Sequence, residues 1–283
     1  MDLFDHALEE TLMEMPYNSA MEFHRRYGRE EPNARLGAAC VHQTIDVARK
    51  AVALGAPKPR FLQDERHVAV VFDTQEAVVV LDPYLLHREP IRFPKNEVVD
   101  GASAVDVIAA PARRNGAGVN RDGRLNARYR ATSDGYVIRL GYSKFSPARD
   151  QYSLSRHFTL RSDSLFDTSS FTDDLQGVLT HPEQTSLSIR AVLPGLQKTA
   201  EVILPLRGFA GHHFTDADLW LRSSDGVVTR NGDPLSIPLW DSLESVLTSS
   251  RAEIGEHLLS ASRIYSEIAD PDREVDPYSL ENE

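Results

Sequence analysis

Apolar residues recur at helical spacing from the start of the chain, at Leu3, Ala7, Leu8, Leu12 and Met15, until Pro16 interrupts them. Met21 to Tyr27 continues as a second short helical piece. A third stripe, Val41, Ile45, Ala48 and Val52, runs on to Leu54 and stops at Gly55 with Pro57 just beyond. The period then changes from helix to strand. Lys58 to Gln63 reads as a short strand, and His67 to Phe72 and Ala77 to Leu81 are β-branched and aromatic runs separated by Asp73-Thr-Gln-Glu76.

Beyond Asp82 the pattern predicts short strands at Ile91–Phe93, Asn126–Thr132, Tyr136–Tyr142, Gln151–Leu160, Ser186–Leu193, Ala200–Leu206 and Val227–Arg230. Turn residues at Ser133-Asp-Gly135, Pro194-Gly195, Ser224-Asp-Gly226 and Asn231-Gly-Asp-Pro234 punctuate them, a spacing that suggests a β-barrel or meander. The last strong element is one long helix, opened by Asp241 with Glu244 three residues on and striped by Leu243, Leu247, Ile254, Leu258, Ala261, Tyr265 and Ile268. That stripe either packs on the molecule's own sheets or forms a homodimer seam. The expected fold class is α+β: a helical N-terminal region (1–57) carrying Cys40, a β-barrel region (58–195) carrying His67 and Asp82, a C-terminal region with the long helix (196–269), and an acidic tail (270–283) that is expected to be poorly ordered.

Two runs joined by so short a loop form an antiparallel hairpin. Centring the loop between Thr74 and Gln75 opposes Val71 to Val78, Ala69 to Val80 and His67 to Asp82. Opposed side chains share a face, so the imidazole can reach the carboxylate. A slip of one residue would send one of the two to the other face.

Cys40 is the only cysteine in 283 residues, which excludes an internal disulfide and leaves packing, redox sensing or nucleophilic chemistry. It falls in the first turn of the third helix, where unpaired N–H groups and the positive end of the dipole favour a thiolate and can donate to an oxyanion. A thiol, an imidazole and a carboxylate that orients the ring are the components of an activated cysteine nucleophile. The alternative is a buried packing cysteine beside a structural histidine. His42 should point away from Cys40 on the helix, and Arg35 either pairs within the helical region or lines the site.

A formal net charge of −11, a pI near 5.4 and a mean hydropathy of −0.36 argue against broad nucleic-acid binding. No run approaches the roughly 18 apolar residues of a membrane span, and Met1-Asp-Leu-Phe-Asp-His lacks the marks of a signal peptide, so the cytoplasm is the expected compartment and no membrane partner is expected. The one basic concentration, Arg113, Arg114, Arg121 and Arg124 with Arg128 and Arg130 beyond, would either grip the phosphates of a ligand or form a solvated, mobile loop. His212-His213 with Asp216 and Asp218 has the residue types of a metal site, but adjacent histidines diverge on a strand and no third ligand is suitably spaced, so no metal is expected. Phe158, Phe171, Phe209 and Trp220 would wall an acceptor pocket or pack in the core, and His157 falls in a strand.

A cysteine at a helix start, a strand-borne histidine and an aspartate fifteen positions later resemble the superfamily of arylamine N-acetyltransferases and transglutaminase-like proteins. Arg35-Leu-Gly-Ala-Ala-Cys40 departs from the Arg-Gly-Gly-aromatic-Cys of the acetyltransferases, and Asp82-Pro83 is closer to the second group, as is Leu54-Gly-Ala-Pro57. The chain thus resembles a divergent member. The resemblance implies a helical bundle, a barrel and an α/β lid. It further implies acyl transfer through a Cys40 thioester, with His67 moving the proton and Asp82 holding the ring. It also implies no permanently bound cofactor, a coenzyme A or carrier-protein thioester as co-substrate, and a small amine as acceptor. The rival readings are transglutaminase-like or peptidase-like attack on an amide with the same three residues, and a non-catalytic binding protein on the same fold.

Overall fold

In the computed structural model, which describes residues 2–169, 171, 175–181, 184–206, 213–270 and 278, the first apolar repeat becomes helix α1 (Leu3–Glu14). Pro16 ends it, and β1 (Tyr17–Asn18) and α2 (Met21–Tyr27) follow. The stripe after Ala39 becomes α3 (Cys40–Ala53). The chain divides into two compact units, each assembled from distant segments: Met1–Met13, Cys40–Thr168 and Pro194–Gln197 in one, and Glu14–Ala39, Ser169–Leu193 and Lys198–Glu283 in the other.

The first unit holds two four-stranded antiparallel sheets. One comprises β2 (Arg60–Asp64), β3 (His67–Asp73), β4 (Ala77–Leu81) and β5 (Ile91–Pro94); the other comprises β6 (Ala102–Arg114), β7 (Asn120–Thr132), β8 (Gly135–Ser146) and β9 (Gln151–Arg161). Leu62, Ala69, Val71, Val80, Ile91 and Phe93 of the first sheet share a core with Val107, Leu125, Ile138, Leu140 and Leu160 of the second. The reverse side of β3 is also buried: α3 packs on it, Thr44 donates to the Val68 carbonyl (3.0 Å), and Phe72 meets Phe4 of α1. A strand covered on both faces has no reason to alternate, which is why Val68-Ala-Val-Val-Phe72 is uniformly apolar.

The expected barrel is replaced by open sheets. Neither sheet of this unit closes on itself, and bridges at Leu62↔Leu165 and His87↔Ala109 join their margins. Much of the second sheet was legible as strands, but β6 was missed. Its outer positions Ala102, Ala104 and Asp106 are exposed and weakly β-forming, and its Arg113-Arg114 end reads as loop.

The β3–β4 register differs from expectation by two positions, with Val71 opposite Val80 and Asp73 opposite Val78. Thr74 decides this. Its hydroxyl oxygen accepts from the Glu76 and Ala77 N–H groups (3.3 and 3.0 Å), which centres the turn one residue later, between Gln75 and Glu76. A shift of two preserves the alternation, so His67 and Asp82 stay on one side of the hairpin without being directly opposed.

The second unit is built on the sheet β1-β10-β11-β12-β13, where β10 is Ser186–Val192, β11 Thr199–Pro205, β12 Trp220–Ser223 and β13 Val228–Arg230. A short α4 (Leu175–Leu179) precedes β10. The expected single long helix is two helices, α5 (Ile237–Leu247) and α6 (Arg251–Ile268), separated at Thr248, which adopts φ 48° and ψ 39°. Ser250 caps α6: its hydroxyl accepts from the Glu253 N–H, and Glu253 accepts in return from the Ser250 N–H (2.7 Å). The capping box therefore belongs to Ser250 and Glu253 rather than to Asp241 and Glu244. Leu243, Leu247, Ile254, Leu258, Ala261 and Tyr265 are all buried in this unit's own core. Apart from Asp270 and Tyr278, the acidic tail lies outside the described residues, among which no helix is long and apolar enough to cross a membrane.

Ser250→Ala should cost about 1 kcal/mol, the usual loss at an N-cap. A lower urea midpoint with an unchanged m-value is the expected result; an unchanged midpoint would mean that packing alone holds the break between α5 and α6.

Candidate functional site

The first unit brings Cys40, His67 and Asp82 together. Cys40 is the first residue of α3 and is half-buried, while His67 is the first residue of β3 and is buried. Asp82 stands one residue beyond β4, fully buried, where the chain leaves the sheet for a 3₁₀ turn over Pro83–Leu85 that begins with the Leu85 N–H donating to the Asp82 carbonyl (3.1 Å).

His67 Nε2 lies 2.6 Å from Asp82 Oδ2, and the thiol of Cys40 is hydrogen-bonded to the same ring. With Nε2 engaged by the carboxylate, Nδ1 is the ring nitrogen left to face the thiol. Burial alone would push the imidazole pKa down, but the charge and hydrogen bond of Asp82, followed by the Cys40 thiol, raise it from 6.5 to about 10. The ring therefore holds both protons at neutral pH.

Two aromatic side chains fix the plane of that ring. Phe158 of β9 stacks on it with centroids 3.7 Å apart and planes 16° from parallel, and Tyr84 leans against it at 5.5 Å. Arg156 Nε donates to the Tyr84 hydroxyl (3.1 Å). An aromatic face over a charged imidazole adds favourable electrostatics to the packing.

A second histidine, unremarked in the sequence, secures Asp82. The Asp82 N–H donates to His87 Nε2 (2.8 Å), and His87 Nδ1 lies 2.8 Å from the Glu89 carbonyl oxygen. An N–H needs an acceptor and a carbonyl needs a donor, so His87 must be the neutral tautomer with its proton on Nδ1. Complete burial, the largest influence, lowers its pKa, in agreement with that tautomer. The sequence signal is slight: a histidine five residues after the aspartate, past a Pro83-initiated turn.

The basic cluster is not a loop. Arg113 and Arg114 end β6 and Arg121 is the second residue of β7, with Arg113 paired to Arg121. Arg113 is buried and donates to the Phe145 carbonyl (3.0 Å), whereas Arg114 and Arg121 are exposed. Of the aromatic candidates, Phe158 is the one at His67; Phe171 packs on the core of the second unit, Trp220 lies under Arg230 in that unit, and Phe209 falls outside the described residues. Arg35 is exposed and donates to Thr248 Oγ1 (3.1 Å). His212 lies outside the described residues and the Asp218 carboxylate accepts from the Thr215 N–H (2.8 Å); among the described residues no group of three His, Cys, Asp or Glu side chains is arranged to hold a metal.

A structure of the arylamine N-acetyltransferase from Mycobacterium abscessus superimposes on this chain with a TM-score of 0.50 at 14% identity, covering 90% of this chain and 86% of that one. The fold is that of an arylamine N-acetyltransferase. Arylamine N-acetyltransferase C from Bacillus anthracis is also similar, with a TM-score of 0.47 at 11% identity over 88% of this chain and 92% of that one. No protein-family model and no curated protein matches the sequence.

Between pH 6.5 and about 10 the folded chain keeps a proton on His67 that the unfolded chain has released. The stabilisation from the His67–Asp82 pair is therefore complete below pH 6.5 and is lost as the pH rises through about 10. Urea unfolding across that range should show stability falling with pH, and Asp82→Asn should flatten the slope; equal slopes in both proteins would exclude a charged His67. Replacing His87 by Phe strands a buried N–H and a carbonyl, each about 1–3 kcal/mol. That variant should lose stability and shift the His67 ring resonances in NMR spectra, whereas His87→Gln should recover part of both.

Proposed function

We propose that this protein is an N-acyltransferase that works through a Cys40 thioester. The observation that carries the reading is the buried His67 ring held between Asp82 and the Cys40 thiol.

In this reading the doubly protonated His67 ring faces the Cys40 sulfur, which acts as the nucleophile. Cys40 Sγ attacks the carbonyl carbon of a thioester donor, the N–H groups at the start of α3 offer hydrogen bonds to the oxyanion, and the imidazolium gives its proton to the departing thiolate. An amine then attacks the Cys40 thioester. His67, now neutral, takes a proton from that amine, the amide leaves, and the proton is again shared with the regenerated thiol. Asp82 keeps Nε2 engaged throughout, so that Nδ1 always addresses the sulfur.

The donor in this reading is a coenzyme A or carrier-protein thioester used as a co-substrate, and the acceptor is a small amine. Arg114 and Arg121, exposed at the β6–β7 end, are the candidate phosphate contacts. A single free thiol is compatible with a reducing compartment such as the cytoplasm.

Mixing the protein with acetyl-coenzyme A should produce a single acetyl adduct on Cys40 by intact mass. Cys40→Ala should give none, and His67→Ala should form it at least about a hundredfold more slowly. An arylamine should discharge the adduct. Labelling by amide donors with no reaction of thioesters would replace this reading by a transglutaminase-like one, and a Cys40 inert to both would favour a binding protein.

A further inference from the structure

The sheet β6–β9 turns one face to the core, and its other face is predominantly basic. Cross-strand register sets out that outer face in four rows: Ala102–Arg130–Val137–Arg161, Ala104–Arg128–Arg139–Thr159, Asp106–Asn126–Gly141–His157 and Ile108–Arg124–Ser143–Leu154. Arg124, Arg128, Arg130, Arg139 and Arg161 are all exposed. With histidine neutral, five arginines less one aspartate leave these rows at +4, on a chain whose formal charge is −11.

These cations are left uncompensated. Arg128 and Arg139 are direct cross-strand partners, so their Cβ atoms stand roughly 4.5–5.5 Å apart, an arrangement that destabilises a sheet. Among the described residues none of the five forms an ion pair: Arg124 lies over the Tyr152 ring (4.0 Å), and Arg128 Nε donates to Asn126 Oδ1 (3.2 Å). The single acid, Asp106, accepts from the Asn126 amide (2.8 Å).

The apolar end of the face selects the class of partner. Ile108 is 45% exposed and Leu154 65%, and Leu154 Cδ1 reaches over Gly141, 3.7 Å from where a Cβ would stand. A phosphate chain or a lipid headgroup layer needs only cations. Arginines without lysines, set beside exposed aliphatic side chains, have the composition of a protein–protein interface, where the planar guanidinium pairs with carboxylates in bidentate fashion.

We propose that the outer face of β6–β9 docks an acidic protein. Its carboxylates meet Arg128, Arg130, Arg139 and Arg161, and an apolar side chain rests on the shelf formed by Ile108 and Leu154. The inference is independent of the acyl-transfer reading, because no residue of this face touches Cys40, His67 or Asp82 in that mechanism.

The test titrates the full chain with a synthetic amphipathic helix bearing a glutamate face and a leucine stripe, and separately with duplex DNA and with phosphatidylglycerol vesicles. The peptide should bind, Arg128→Glu/Arg139→Glu should weaken it at least about tenfold, and Leu154→Ser should weaken it about threefold. Arg128→Gln/Arg139→Gln should raise the melting temperature while weakening the peptide, because the repulsion it relieves serves binding. Peptide binding indifferent to all three variants overturns the proposal, as does tighter binding of DNA or vesicles than of the peptide. Should the charge-reversed protein fail to fold, the glutamine pair and Leu154→Ser decide the same question.

Discussion

The contact between His67 and Asp82 is the constraint around which the first unit is arranged. A carboxylate with no exposed surface and an imidazole with 5% left exposed sit 2.6 Å apart, each a costly neighbour of the apolar core without the other. Their pairing requires the chain to leave β4 at Asp82, requires the Asp82 N–H to find its own acceptor in His87, and requires the imidazole plane to be held by Phe158 and Tyr84. The proton on His67 follows from the same geometry, since burial opposes it and the carboxylate prevails.

Packing explains why this pair can be so thoroughly enclosed. The hairpin β3–β4 is covered by α3 on one side and by the second sheet on the other, so both ends of the polar pair are shut away from water. The same cover sets Cys40 at the margin: it begins the helix that lies on β3, and as the first residue it remains half-exposed where the next turns are buried. A half-buried thiol at the rim is thus backed by a buried imidazole and a buried carboxylate.

The second sheet distributes charge in the opposite way. Its inner face brings Phe158 to His67 and its outer face gathers five arginines, with the two sets interleaved along the same strands by the two-residue period. An acidic protein could have distributed those cations to neutralise its surplus carboxylates. Their segregation onto one face instead sets Arg128 opposite Arg139, a like-charge pairing that costs the sheet stability.

By itself the sequence determined the local elements and their faces: the helix that starts at Cys40, the valine-rich hairpin, and the common side of His67 and Asp82, which survives a register shift of two because strand alternation repeats every second residue. It also contained the break between α5 and α6, in the Ser250 and Glu253 pair, although an unbroken apolar stripe obscured it. Only the tertiary structure decided how far Cys40 stands from His67, that His87 supports Asp82, that Phe158 from a strand some ninety residues on closes over the ring, and that the sheets stay open instead of forming a barrel. Periodicity reports which way a side chain points along its own element. Which other element it meets depends on long-range packing and on strand register, where small terms such as one threonine hydroxyl at a turn decide between alternatives of nearly equal energy.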